Sequence, residues 1–181
     1  MTKSLILSVI GLSKDFGEGE TQVHVLKDID LSMEAGEMAA LLGPSGSGKS
    51  TLLTILGTLM RASGGTHEML GVDLMHASEA QRTEFRSKNL GFVFQFHHLL
   101  PDLSALENVM IGYHVHLKSG FFGPIFGLKS TRLEEEKARQ IAMDLLKYVN
   151  MTGKEQTLAK NFPYGEQRRL EMARALASQP K

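Results

Sequence analysis

The sequence of 181 residues predicts an α/β fold, and two features of the chain support this prediction. The first feature is a strand, a glycine-rich loop and a helix in succession, because the apolar run 38–42 precedes glycines and residues 51–56 continue as a helix. The second feature is a change from strand-containing to helical sequence after about residue 95. We therefore expect a parallel core sheet, an antiparallel β part and a helical part.

The glycine-rich loop fits the phosphate-binding pattern G-x-x-x-x-G-K-[S/T] at all its constrained positions. Glycines let successive backbone N–H groups curl around phosphate oxygens, and the following helix points its positive dipole end at the same anion. Lys49 would reach the β- and γ-phosphates, and the Ser50 hydroxyl would coordinate Mg²⁺. A plain Gly/Ser-rich turn is the alternative interpretation, which the complete pattern disfavours. The predicted loop consists of Gly43, Pro44, Ser45, Gly46, Ser47, Gly48, Lys49, Ser50 and Thr51.

Three stretches of the first half predict β structure outside the core sheet. Residues 4–12 and 23–33 are rich in aliphatic and β-branched side chains and are expected to pair as strands. The polar loop between them contains one aromatic residue, Phe16. Residues 66–74 predict a further short β segment with a turn near Gly71.

Several sequence signals predict helix starts. Ser78, Ser104 and Thr131 each stand three residues before a Glu or Gln, which is the capping-box pattern. The segment 165–178 predicts a final helix. Between the helices predicted to start near Ser78 and Ser104, the apolar run 90–94 is typical of a strand buried on both faces.

Composition excludes several classes of protein. Lys and Arg total 20, as do Asp and Glu, so no excess charge indicates nucleic acid as the main partner. The absence of cysteine excludes disulfides and thiolate metal sites. No apolar run reaches the roughly 20 residues that a membrane-spanning helix needs.

Two further features follow the loop in the sequence. Gln95 ends the predicted strand, where a side-chain amide could contact both a metal and a water. Residues 162–176 read Phe-Pro-Tyr-Gly-Glu-Gln-Arg-Arg-Leu-Glu-Met-Ala-Arg-Ala-Leu and resemble the L-S-G-G-Q-Q signature with its A-R-A-L ending. In this order the three motifs resemble the nucleotide-binding domain of ABC transporters. The resemblance implies a P-loop NTPase fold and ATP binding as an energy-coupling subunit.

The resemblance also implies roles for individual residues. Phe16 matches the aromatic residue that stacks on adenine. A Phe in a loop could equally serve only to pack against neighbouring side chains. Gln95 resembles the glutamine that senses the γ-phosphate and Mg²⁺. Tyr164, Gly165 and Glu166 resemble signature residues that contact the ATP of the opposite subunit, through a tight turn at Gly165 and a helix N-terminus. A head-to-tail dimer, transmembrane permease subunits and a peripheral cytoplasmic location at the cell membrane are implied.

The chain departs from the family pattern in two places. Pro163 replaces the usual serine and removes one hydroxyl and one N–H donor. After the A-R-A-L helix, the sequence has no counterpart of the Walker B strand or of the general-base glutamate. We therefore expect weak binding of Mg-ATP, negligible turnover and exposed apolar surface where the family has an inner strand.

Branch membership and organisation leave alternatives open. Up to about Asn108 the sequence resembles lipoprotein-releasing exporter ATPases. Beyond this residue it resembles branched-chain amino-acid import ATPases, so the chain could be a chimera of the two branches. The predicted parts are 1–95, a nucleotide-binding core with the antiparallel β part; 96–160, a helical subdomain; and 161–181, the signature and its helix. Rival functions are a non-catalytic nucleotide-binding fragment and a soluble ABC protein of DNA repair or translation.

Overall fold

A computed structural model describes residues 4–94, 98–114 and 129–180. The chain divides into two compact units, Met1–Arg86 and Ser87–Lys181. The first unit contains the sheet and the glycine-rich loop, and the second unit is helical.

The first unit is built on an antiparallel sheet with the strand order β2-β1-β3-β4. The pairing of β1 with β2 confirms the predicted strand pair, with Leu7 opposite Met33 and Val9 opposite Leu31. β1 continues through Phe16, so this residue lies on a strand opposite Val23 and not in the predicted polar loop. The strands are β1 (Leu5–Phe16), β2 (Val23–Glu34), β3 (Gly64–Met69) and β4 (Val72–Asp73).

Helix α1 (Lys49–Leu56) follows the glycine-rich loop directly, as the sequence predicts. Its apolar side packs on the sheet, because Leu52 and Ile55 are buried with side chains of β1 and β2. Helix α2 (Glu79–Asn89) begins after Ser78, whose hydroxyl accepts from the N–H of Gln81 in the predicted capping box. The first-unit core consists of Leu7, Val9, Leu12, Leu26, Leu52 and Ile55.

The run 38–42 forms no strand, so this part of the prediction is wrong. Met38 is 99% exposed and Leu42 is 87% exposed. An apolar segment becomes a strand only when neighbouring strands supply hydrogen bonds and side-chain contacts. Within the described residues no strand pairs with this segment, and the only sheet found there is antiparallel.

The second unit packs three helices around one core: α3 (Ala105–Tyr113), α4 (Lys129–Tyr148) and α5 (Tyr164–Ala177). Ser104 and Glu107 form the complete predicted capping box at α3. Thr131 lies inside α4, which begins two residues earlier, so the predicted cap at this residue is wrong. The core contains Ala105, Leu106, Val109, Tyr113, Ala138, Ala142, Leu146, Val149, Met151, Ala159, Phe162, Leu170, Ala173 and Ala177.

The run 90–94 also forms no strand, which contradicts the prediction of a doubly buried one. Val93 is 43% exposed and Phe94 is 37% exposed. The rings of Phe92 and Phe94 stack on each other at a centroid distance of 5.6 Å. Apolar composition alone does not produce a strand here, because in the described chain the segment has no strand neighbour.

Candidate functional site: the glycine-rich loop and the start of α1

The side chain of Lys49 lies across the glycine-rich loop that precedes α1. Its ammonium group donates hydrogen bonds to the carbonyl oxygens of Gly43 at 2.9 Å and Pro44 at 2.5 Å, and it lies 3.3 Å from the Ser47 hydroxyl. The lysine therefore places a positive charge over the loop, next to the first backbone amides of the helix, which have no acceptor within the helix.

A cavity of about 310 Å³ lies at this loop. This volume is near the lower end of the roughly 300–1,000 Å³ of small-molecule sites. Its wall contains the lysine, two hydroxyl side chains at the start of α1 and glycine main chain, so it combines one cation with several donors. The lining residues are Val25, Ser45, Gly46, Gly48, Lys49, Ser50 and Thr51.

Gly48 stands directly before α1 with a left-handed conformation, φ 82°. A Cβ atom at this position would lie 2.8 Å from Leu26 Cδ2 and 3.1 Å from the carbonyl oxygen of Val25. Strand β2 therefore supports the loop from behind, and only glycine fits. Val25 also lines the cavity, a role that the alternation pattern of β2 did not reveal.

Phe16 is 40% exposed at the end of β1. The Lys14 ammonium lies 4.9 Å from the centre of its ring. A cation at this distance is attracted to the ring face.

The predicted signature residues lie in the first turn of α5. Gly165 is inside the helix and has no positive φ, so the predicted tight turn at this residue is wrong. The carboxylate of Glu166 pairs with Lys154 at 2.6 Å, and the Glu166 N–H donates to the carbonyl oxygen of Pro163 at 2.9 Å. Tyr164 is 71% exposed.

Gln95 lies outside the described residues, but α5 contacts the chain on both sides of it. The buried carboxylate of Glu171 accepts the N–H of Phe94 at 2.6 Å and pairs with Arg168 at 3.0 Å. Arg168 also donates to the carbonyl oxygen of Phe94. Arg174 donates to the carbonyl oxygen of His98 at 2.6 Å. One stripe of α5 thus binds the main chain at both positions.

The sheet, the glycine-rich loop and the lysine at the start of α1 define a P-loop nucleotide-binding protein. The sequence profile of ABC transporters matches residues 26–181. LolD 2 of Rhodospirillum rubrum, a lipoprotein-releasing system ATP-binding protein, is 45% identical over 93% of this chain and 67% of its own length. LolD of Geobacter metallireducens is 40% identical over 98% of this chain and 72% of its own length.

A solved structure is also similar. The dimeric ATP-binding cassette MJ0796, bound to ADP and phosphate, has a TM-score of 0.80 and 30% identity over 97% of this chain and 71% of its own. The chain therefore belongs to the ABC transporter family, as an ATP-binding subunit with the cassette fold of ABC-type ATPases, which confirms the resemblance. Cassettes of this family dimerise and work with transmembrane permease subunits.

Similarity to the LolD proteins continues through the second unit, because the matched segments cover 93–98% of the chain. The predicted likeness of the second half to amino-acid importers stays a prediction. Among the residues that the structure describes, no helix combines the length and apolar character needed to cross a membrane.

Proposed function

We propose that this chain binds Mg-ATP at the cavity beside α1, with the phosphates held by the loop from Gly43 to Thr51. The observation that carries this proposal is the position of the Lys49 ammonium over a loop whose glycines line the same cavity as the first residues of α1. The cavity wall supplies one cation and many N–H and O–H donors, which is the chemistry that a polyphosphate requires.

The residues of the cavity also fit Mg²⁺. This ion takes one or two protein oxygens and completes its octahedron with phosphate oxygens and water. Ser50 lines the cavity and its hydroxyl is the proposed protein ligand. Gln95 is proposed as the second ligand from the family resemblance alone. No cluster of three or more His, Cys, Asp or Glu in the described ranges could hold a metal alone. Bound Mg²⁺ would neutralise charge on the β- and γ-phosphates.

The partner and the transport role are proposed from the relatives. We infer a head-to-tail dimer in which Tyr164, Gly165 and Glu166 contact the ATP of the second copy. Permease subunits and a place at the inner face of the membrane follow from the same likeness, with lipoprotein release as the proposed process because the LolD proteins carry that name. Phe16, with its partly exposed ring, is the proposed adenine contact.

The decisive experiment compares ATP affinity of the parent chain with that of Lys49→Ala. We expect Lys49→Ala to weaken binding about 100-fold, because it removes a charged hydrogen-bond donor from the phosphates. Lys27→Ala is the matched control, since it removes an exposed lysine of β2 in the same unit, and it should bind ATP as the parent does. Equal affinity of the Lys49 variant and the parent would contradict the proposed site.

The second candidate is a nucleotide-binding chain without turnover. It is favoured by Pro163, which stands where the family has a serine and offers neither a hydroxyl nor an N–H to a phosphate. Phosphate release measured beside ATP binding separates the two candidates. Binding without release supports the second, and release at a rate that Lys49→Ala abolishes supports the first.

A further inference from the structure

Two arginines of α2 bind the main chain that leaves the C-terminal end of α1. The guanidinium of Arg82 donates to the carbonyl oxygens of Thr58 at 3.0 Å and Met60 at 2.8 Å. Arg86 donates to the same carbonyl of Thr58 at 2.8 Å and lies 3.2 Å from its hydroxyl. Both cations therefore lie at the negative end of the helix dipole, where positive charge is stabilising.

The turn that these arginines hold is strained and buried. Thr58 has φ 60°, a left-handed conformation that β-branched residues rarely adopt, and it is fully buried. Such a conformation persists only when its surroundings determine it. Arg82 is 2% exposed and also lies 3.4 Å from the carbonyl oxygen of Leu74, so its guanidinium is held by two separate segments.

Helix α1 has only eight residues, so its two ends are closely linked. Leu52 and Ile55 pack its side against the sheet, and directional hydrogen bonds at its end add resistance to sliding along the helix axis. The bonds from Arg82 and Arg86 follow the last turn and therefore limit that movement. At the opposite end, the same helix presents Lys49 and Ser50 to the cavity.

We propose that Arg82 is a positioning residue for the phosphate site. By binding the carbonyls that follow α1, it fixes the position of the helix along its own axis. This in turn fixes where the N-terminal amides and Lys49 lie relative to the cavity. This inference rests on the proposed function. Burial, and then the nearby Arg61, lower the pKa of Arg82. Its Nε makes no hydrogen bond within the described chain and lies 3.8 Å from the Glu79 carboxylate, so both bonds to the turn after α1 come from Nη2.

The test measures ATP affinity and thermal unfolding of the full chain for Arg82→Met and Arg61→Met. Arg61 is the matched control, because its guanidinium also donates to two carbonyls, those of Met75 and Ala77, but it does not bind the α1 turn. We expect both variants to lower Tm. Only Arg82→Met should weaken ATP affinity, by about tenfold, because the loss of directed hydrogen bonds lets the helix shift.

Conservative variants separate positioning from charge. Arg82→Lys keeps the positive charge but cannot donate in the fixed fork of a guanidinium, so it should regain only part of the affinity. If Arg82→Met does not fold, Arg86→Met tests the same turn through one main-chain bond where Arg82 has two, and about a threefold loss of affinity is expected.

The outcomes distinguish this inference from the proposed function. Parent-like ATP affinity in Arg82→Met, or in Arg86→Met where the first variant does not fold, would overturn the positioning role while leaving the phosphate site intact. An equal loss in Arg61→Met would overturn it as well, because the effect would then follow general stability. ATP affinity that is insensitive to Lys49→Ala would overturn the proposed function itself.

Discussion

The N-termini of α1 and α5 were both predicted to face phosphate, but the structure builds them differently. α1 has no acidic residue in its first turn, and Lys49 adds a cation beside its amides. α5 carries Glu166 in its first turn, and that carboxylate already pairs with Lys154. A helix N-terminus attracts an external anion most strongly when its own side chains leave the positive end uncompensated. α1 meets this condition by itself, whereas α5 depends on Lys154 to offset the charge of Glu166.

Acid should act on the unit that carries α1 through a residue of β3. His67 is 3% exposed, and burial, followed by the Arg82 charge, lowers its pKa to about 4 against the opposing effect of Asp73. In the unfolded chain the pKa of this histidine is about 6.5. Between these values the unfolded state binds the proton and the folded state does not, so stability falls as pH decreases from about 6.5 to about 4, by about 3 kcal/mol in total.

Chemical denaturation between pH 4 and pH 7 measures this loss. His67→Gln should remove most of the pH dependence, because glutamine does not titrate in this range. His24→Gln, on the exposed part of β2, is the control. Its free energy of unfolding should fall between pH 7 and pH 4 by as much as that of the parent. An unchanged pH profile in His67→Gln would assign the acid sensitivity to other groups.

The two glycines at the helix N-termini should respond in opposite directions to alanine. Gly48→Ala forces a side chain into Leu26 and the main chain of Val25 at a positive φ, so we expect a loss of about 2 kcal/mol or more in the free energy of unfolding. Gly165→Ala meets no atom within 4 Å and lies in a helix, so a gain of about 0.5–1 kcal/mol is expected. Denaturant unfolding checks both, and a loss for Gly165→Ala would show that α5 needs glycine for packing.

The ion pair at the start of α5 should give the smallest effect. Lys154→Ala should lower the free energy of unfolding by about 0.5–1 kcal/mol. The loss is small because the lysine is 43% exposed, and because Arg169, 3.8 Å from the Glu166 carboxylate, still offsets part of its charge. Lys160→Ala removes the more exposed pair with Asp102 and should cost less. Thermal unfolding of the two variants measures the difference. Equal changes in Tm would show that the pair of Lys154 with Glu166 stabilises the protein no more than the exposed pair of Lys160 with Asp102.

Local sequence rules predicted the local structure well. The capping boxes at Ser78 and Ser104, the pairing of β1 with β2, and the start of α1 after Gly48 were all read from neighbouring residues. The strands expected at 38–42 and 90–94 were not found, because strand formation depends on partners that composition does not reveal.

Contacts between distant residues explain the parts of the site that the sequence did not show. Arg82 reaches Thr58 across 24 residues, and Glu171 reaches Phe94 across 77. Charged residues of helices are usually solvated, so the sequence alone gives no reason to expect these contacts. A charged position that interrupts the buried face of α5, between Leu170 and Ala173, is the one signal that could have pointed to Glu171.

Three oxygens of the protein already surround the Lys49 ammonium, and they bear on which ligand the proposed phosphate site favours. An arriving anion must compete with acceptors that belong to the protein, so the lysine exchanges bonds rather than adding new ones. A singly charged anion gains little from such an exchange. A chain of several phosphates gains more, because its multiple charges outweigh neutral carbonyls. If the loop binds phosphate as proposed, we expect small singly charged anions to bind it more weakly than a polyphosphate does.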